Sequence, residues 1–315
     1  MTSRRITILG ASGFVGRYIV RDLAREGAVI AACCRHARSA GFLRPMGDVG
    51  QIGTFSADLT DERALAAVIA GADTVVNAVG ILYERGKQRF AALHSEGPAR
   101  VAALAKAAGV KRLVHFSALG AAAQSTSSYG RTKAAGEAAI RAAFPAATVL
   151  RPALIFGPED NFFNRFAALA RFSPALPLIG GGATKFQPVY VGDVAAAVAA
   201  VLAREDSQGK TYDLAGPAVF TLKQLFELIL RVIQRKRLLV PVPFALAGLE
   251  AFFLEWAPRP LLTRDQVRML RHDTVAAPGV PGLAELGIVP TALELVLPSY
   301  LDRYRRPGRF RPSHA

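Results

Sequence analysis

Residues 125–137 read STSSYGRTKAAGE, and two of them carry chemistry by type and spacing. Tyr129 and Lys133 stand four apart where a helical pattern opens, so they share one helix face. An ammonium beside a phenol favours the phenolate and lowers the tyrosine's pKa. Such a tyrosine donates or accepts the proton that accompanies a hydride transfer. The same pair also makes a clamp that grips a ribose and reacts with nothing. Spacing alone leaves both roles open.

A second cluster sits near the N-terminus, in ITILGASGFVGRYIV. Gly10, Gly13 and Gly16 follow an apolar strand and open a helix. This spacing permits a tight turn, close approach of backbone N–H groups to a pyrophosphate, and close helix–sheet packing. Ser12, Phe14 and Val15 complete the residues expected at a dinucleotide there. At the end of the second strand a carboxylate would accept from the 2′-hydroxyl of NAD; here stand Arg35, His36 and Arg38. Two guanidiniums suit a 2′-phosphate, so NADP(H) is expected over NAD. Asp58 and Leu59 end the third strand, where an adenine is held. Asn77, Ala78, Val79 and Gly80 end the fourth, small enough for the backbone to run beside a cofactor. Ser117, ending the fifth strand, and Pro152, after the sixth, join the expected cofactor contacts.

These residues need a scaffold that brings strand ends together. Apolar runs at 6–9, 29–34, 54–57, 74–77, 113–117 and 148–150 alternate with helical patterns near 14–26, 61–70, 90–108 and 129–143. Strands apolar on both faces and separated by helices predict an α/β fold, a doubly wound parallel sheet of the Rossmann type. After Pro152 the rhythm changes to a smaller mixed C-terminal region. Helices are expected at 161–171 and 193–204, a loop at 173–188, a strand at 210–214 and an amphipathic helix over 221–235 capped by Thr221. The expected division is a nucleotide-binding domain over 1–157, with 184–214 packing back on it, and a C-terminal region made of 158–183 and 215–315. The tract 244–256 reads either as an amphipathic helix resting on lipid or a membrane subunit, or as a core helix. The tail RYRRPGRFRPSHA suits anionic headgroups or a solvated end.

Lysine and arginine outnumber aspartate and glutamate 39 to 24, a formal net charge of +15. That balance suits nucleic acid, an anionic membrane or an acidic protein, and equally an arginine-rich solvated surface. Nucleic acid is set aside, because no recognition motif accompanies the charge. Cys33 and Cys34 are adjacent in an apolar run and read as buried hydrophobes in a reducing compartment; nothing has the spacing of a metal site. The N-terminal residues read straight into a strand, so no leader is expected, and apolar runs fall short of the roughly 18 residues of a transmembrane helix.

GASGFVG, ADL, NAVG, YGRTK and LRPALIFGPED together resemble the extended and atypical short-chain dehydrogenase/reductase superfamily, which includes NAD-dependent epimerases and dehydratases. The resemblance implies that Tyr129 and Lys133 are catalytic and that the segment after Arg151–Pro152 lines the nicotinamide. It also implies a substrate-polarising hydroxyl after strand five. Ser117 occupies the structural position of that run, while Ala118 and Leu119 stand where the catalytic hydroxyl belongs. Loss of that group removes a transition-state term of a few kcal/mol. The hydroxyls at 125–128 are the candidates to substitute for it.

GFLRPMGDVGQI, FPAATVLRPALIFGPEDNFFNRFA, QPVYVGDVAAAV, LLTRDQVRML and PGLAELGIVPTALE narrow the resemblance. They are similar to the NADPH-binding accessory subunit of respiratory complex I in its alpha-proteobacterial form, over roughly 4–304. That resemblance implies a structural NADPH and a place on the peripheral arm, near the membrane and the quinone region. It also implies a cytoplasmic location on the inner face of a bacterial plasma membrane. Two alternatives accompany it: an active NADP-dependent reductase, epimerase or dehydratase using Tyr129 and Lys133, and a helper in ubiquinone biosynthesis or handling.

Overall fold

The computed structural model describes residues 4–258 and 260–305. Most of the expected basic tail therefore lies outside the described residues. Six strands come first: β1 (Arg5–Leu9), β2 (Val29–Cys34), β3 (Ile52–Ser56), β4 (Thr74–Asn77), β5 (Arg112–Phe116) and β6 (Thr148–Pro152). The short strands β7 (Ile155–Phe156), β8 (Ala175–Ile179), β9 (Lys185–Phe186) and β10 (Val189–Tyr190) follow, then β11 (Thr211–Leu214). β12 (Phe220–Thr221) and β13 (Leu238–Val242) close the series. The central sheet has seven strands in the order β11-β6-β5-β4-β1-β2-β3, all parallel. The order reverses between β1 and β4, which makes a crevice at the strands' carboxyl ends.

Helices cover both faces, as strands buried on both sides require. α1 (Phe14–Arg25) and α6 (Val191–Ala203) pack together on one face. Their core includes Ile8, Ile19, Leu23, Val194 and Val198. α2 (Glu62–Ile69), α3 (Gly97–Ala107) and α4 (Ser128–Ala143) cover the other, over Val75, Leu65, Val101 and Ile140. α5 (Phe163–Phe172), α7 (Leu222–Val232) and α10 (Leu293–Leu301) build a third core around Phe163, Phe226, Ile229 and Leu297. Thr221 caps α7 in a reciprocal capping box with Gln224, as the sequence predicts. Asp193 on α6 accepts from Thr291 N at 2.7 Å and Thr291 Oγ1 at 2.9 Å, fastening the C-terminal segment to the sheet layer.

Three local expectations change. The expected helix over 90–108 begins as a π-helical turn, Ala91–Glu96, before α3. The loop expected at 173–188 contains β8 and β9; β8 pairs with β13, a partner that local composition does not reveal. The core-helix reading of 244–256 is overturned. α8 (Phe244–Leu254) buries only Ala247 and Ala251, packing them against α9 (Arg264–Met269) and β13 with Val242 and Val267. Close packing there selects the two small residues, which leaves Leu246, Leu249, Phe252, Phe253 and Trp256 exposed, the last at 82 %.

Candidate functional site

The glycine turn is built by contacts that a side chain would break. Gly10 has φ 83° and donates to Cys33 O at 3.0 Å, which turns the chain out of β1 beside β2. A Cβ on Gly16 would lie 2.2 Å from Gly10 O, so only glycine lets α1 start this close to the strand. Gly13 is the N-cap of α1 and no side chain caps it, leaving the first-turn N–H groups to an external acceptor. Arg17, which the motif reading missed, donates to Ser12 O at 3.2 Å and Gly13 O at 3.3 Å and pairs with Glu159 at 3.4 Å. It steadies the turn from below and sets a guanidinium beside it. Phe14 packs edge-on to Tyr18, and Val15 packs against the core under α1.

The other predicted residues line the same sheet edge. Arg35 and Arg38 are exposed, and among the described residues neither makes a hydrogen bond or ion pair. Asp58 Oδ1 accepts from Thr60 N at 2.9 Å and Thr60 Oγ1 at 2.7 Å, while Leu59 is buried. Ala78 crosses against Gly10, whose ideal Cβ would meet Ala78 C and O at 3.0 Å; Val79 N donates to Asn77 Oδ1 at 3.3 Å. Pro152 O accepts from Leu119 N at 3.0 Å.

Lys133 is buried on α4, and its Nζ donates to Phe116 O at 3.0 Å. An ammonium has three donors, so two remain for hydroxyls of a ligand. Burial pulls its pKa down to about 8, with Glu137 acting the other way. Its Nζ lies 5.9 Å from the centre of the Tyr129 ring. The sequence reading expects the lysine to lower the tyrosine's pKa. The structure reverses that sign: burial pushes Tyr129 up to about 12. At neutral pH this residue is a phenol, a donor rather than a base.

Gly80 lies beside Lys133; an ideal Cβ there would stand 3.4 Å from its Nζ. Ser117 Oγ is buried beside the sheet edge without a hydrogen-bond partner among the described residues. Leu119 and Ala118 are buried, and Leu119 belongs to the core under α1 and α6. The candidate substitute hydroxyls already have local work. Ser127 Oγ caps Gly130 N at 2.9 Å, Ser125 Oγ bonds Ser127 Oγ at 3.1 Å, and Ser128 Oγ accepts from Arg131 at 3.0 Å.

Two further features escaped the sequence reading. Asp265 of α9 accepts from Ser128 N at 2.7 Å and Tyr129 N at 3.0 Å, clamping the start of α4 from the C-terminal region. Below the edge, Arg151 meets Glu137 in a bidentate pair at 2.8 and 2.6 Å and fastens α4 to β6. The glycine cradle, the uncapped helix start, the spare donors of Lys133 and the unpartnered Ser117 Oγ fit a dinucleotide laid across the β1–β4 crevice.

Residues 6–215 match the model of the NAD dependent epimerase/dehydratase family, and the chain belongs to that family. The family binds NAD or NADP. NADH dehydrogenase [ubiquinone] 1 alpha subcomplex subunit 9, mitochondrial, of Arabidopsis thaliana is 38 % identical, over 96 % of this chain and 78 % of that protein. The subunit of the same name from Rattus norvegicus is 35 % identical, over 95 % of this chain and 80 % of that one. The solved triphenylmethane reductase of Citrobacter sp., complexed with NADP(H), shares the fold at TM-score 0.74 and 22 % identity, covering 94 % of this chain and 99 % of that one.

Proposed function

We propose that this chain is an NADP(H)-holding accessory subunit of an NADH:ubiquinone oxidoreductase of the complex I type. The observation that carries it is the similarity along 96 % of the chain to a protein named as such a subunit. The burial of Leu119 in the core supports a structural rather than a reacting dinucleotide, since no hydroxyl stands at that position. In this reading Gly10, Ser12, Gly13, Phe14, Val15 and Gly16 hold the pyrophosphate, Arg35 and Arg38 the 2′-phosphate, and Asp58 and Leu59 the adenine. Ala78, Val79, Gly80, Ser117 and Pro152 border the nicotinamide, while Tyr129 and Lys133 grip its ribose. When bound, a nicotinamide supplies the capacity to give or take a hydride. The chain's own residues orient it and keep the Tyr129 proton in place. The sheet-bearing part, 1–157 with 184–214, is the dinucleotide holder; 158–183 and 215–315 form the partner-contacting part.

Among the described residues no helix is long and apolar enough to cross a membrane. The outward face of α8 suits a peripheral-arm subunit or the membrane beside the quinone region, on the inner face of a bacterial plasma membrane. The test is native electrophoresis of membranes from cells carrying a tagged chain. Co-migration with NADH:ubiquinone oxidoreductase activity is expected; a chain that always runs alone overturns the assignment.

The Tyr129–Lys133 geometry favours a second reading, an NADP-dependent reductase with Tyr129 as proton donor. Turnover of carbonyl substrates that Tyr129→Phe abolishes would establish it; turnover indifferent to that change would remove it.

A further inference from the structure

His94 lies in no motif, yet it touches the loop after β4, the Tyr129 ring and the first turns of α4. Its imidazole is buried at 1 % exposure on the π-helical turn Ala91–Glu96. Nε2 accepts from Ile81 N at 3.0 Å, which fixes the Gly80–Ile81 peptide just past β4. A nitrogen that accepts carries no proton, so the proton of the neutral ring sits on Nδ1. Nδ1 faces Thr132 Oγ1 at 3.5 Å. That hydroxyl donates back to Ser128 O at 2.8 Å and Tyr129 O at 3.1 Å, which leaves its lone pairs for the imidazole. The ring stacks on Phe90 at 5.3 Å and meets the Tyr129 ring edge-on at 5.3 Å. Burial and then the Lys133 charge hold the imidazole neutral, its pKa down to about 2.

The π turn makes this placement possible. A π turn widens the helix by one residue and re-aims the side chains it carries. It also presses His94 O against α4, where a Cβ on Gly136 would lie 1.9 Å away. One imidazole therefore spans three elements: the β4 loop, the π turn and the first turns of α4. Gly80 is the seam, with its ideal Cβ 3.4 Å from Lys133 Nζ and 3.9 Å from His94 Nε2.

We propose that His94 is the positioning residue of the nicotinamide half of the site: through Ile81 N and Thr132 Oγ1 it sets the Gly80–Ile81 peptide against Tyr129 and Lys133. The proposal rests on the dinucleotide reading above and goes beyond it. His94 reaches the ligand only through its neighbours, so its effect is confined to the nicotinamide end. The adenine end depends on α1 and the arginines after β2, none of which touches His94.

The test compares two ligands on the purified full chain by calorimetry: NADPH, and 2′,5′-ADP, which lacks the nicotinamide and its ribose. His94→Leu keeps bulk and removes both hydrogen bonds. It is expected to weaken NADPH about tenfold, the scale of a lost neutral hydrogen bond, and to leave 2′,5′-ADP unchanged. His94→Gln retains an acceptor and a donor and is expected to recover most of the NADPH affinity. Thr132→Val removes only the Nδ1 partner and is expected to give a smaller loss with the same selectivity; it also serves if His94→Leu does not fold. The proposal is overturned if the variants bind NADPH as the wild type does, if both ligands weaken equally, or if glutamine rescues nothing. A wild-type chain that binds neither ligand refutes the dinucleotide reading instead.

Discussion

α4 and α8 solve opposite problems. α4 turns its functional residues inward: Lys133, Gly136 and Glu137 are buried, and each finds its partner within the chain. α8 turns two alanines inward and its large apolar residues outward. On α4, Lys133 spends one of its three donors on Phe116 O, and Glu137 is paired with Arg151. The outer face of α8 groups Leu246, Leu249, Phe252 and Phe253 as neighbouring exposed apolar side chains, the kind of surface that marks an interaction site. In the proposed reading, one helix serves a small molecule and the other a larger neighbour.

The contrast breaks most visibly at Gly136. Gly136→Val forces a side chain into His94 O and is expected to cost about 3 kcal/mol or more of stability, measured by urea denaturation. Lys133→Met should weaken NADPH about 30-fold, as charge-assisted bonds to the ribose are lost. The same variant carries a pH signature. The folded pKa of Lys133, about 8, lies below its unfolded 10.5, so the unfolded chain holds the extra proton between those values. The native state's handicap is therefore full below pH 8 and fades as pH rises, so wild type gains stability on Lys133→Met between pH 8 and 10. Its ceiling is about 3 kcal/mol, and thermal melts across that range read it directly. Arg35→Ala with Arg38→Ala should reduce the preference for NADPH over NADH by about tenfold, with stability unchanged, since both side chains are exposed and unpaired among the described residues. Leu249→Ser or Phe253→Ser should alter the stability of the isolated chain by less than about 0.5 kcal/mol. Association with the larger complex should fall all the same, which pull-downs measure.

How much of this is legible in the sequence depends on the range of the contacts. The strand–helix alternation, the glycine turn, the Thr221 cap and the Tyr129–Lys133 face follow from neighbours a few residues apart. His94 was not legible, because a π turn leaves no pattern in residues 91–96 and its partners Ile81 and Thr132 lie on other elements. Asp265 caps α4 from 136 and 137 positions away, which no local rule anticipates. The Tyr129 pKa went the other way because spacing reports the nearby charge and not the burial. α8 stayed undecided for a related reason: composition reports that a helix is apolar, and only packing decides which apolar residues face in.

The central claim is that the chain holds NADP(H) without consuming it. Native mass spectrometry of the purified complex, before and after turnover with NADH and ubiquinone, tests this most directly. The account predicts one NADP(H) per chain, with mass and redox state unchanged by turnover. A chain without dinucleotide, or one whose nucleotide is oxidised or exchanged during turnover, would contradict it.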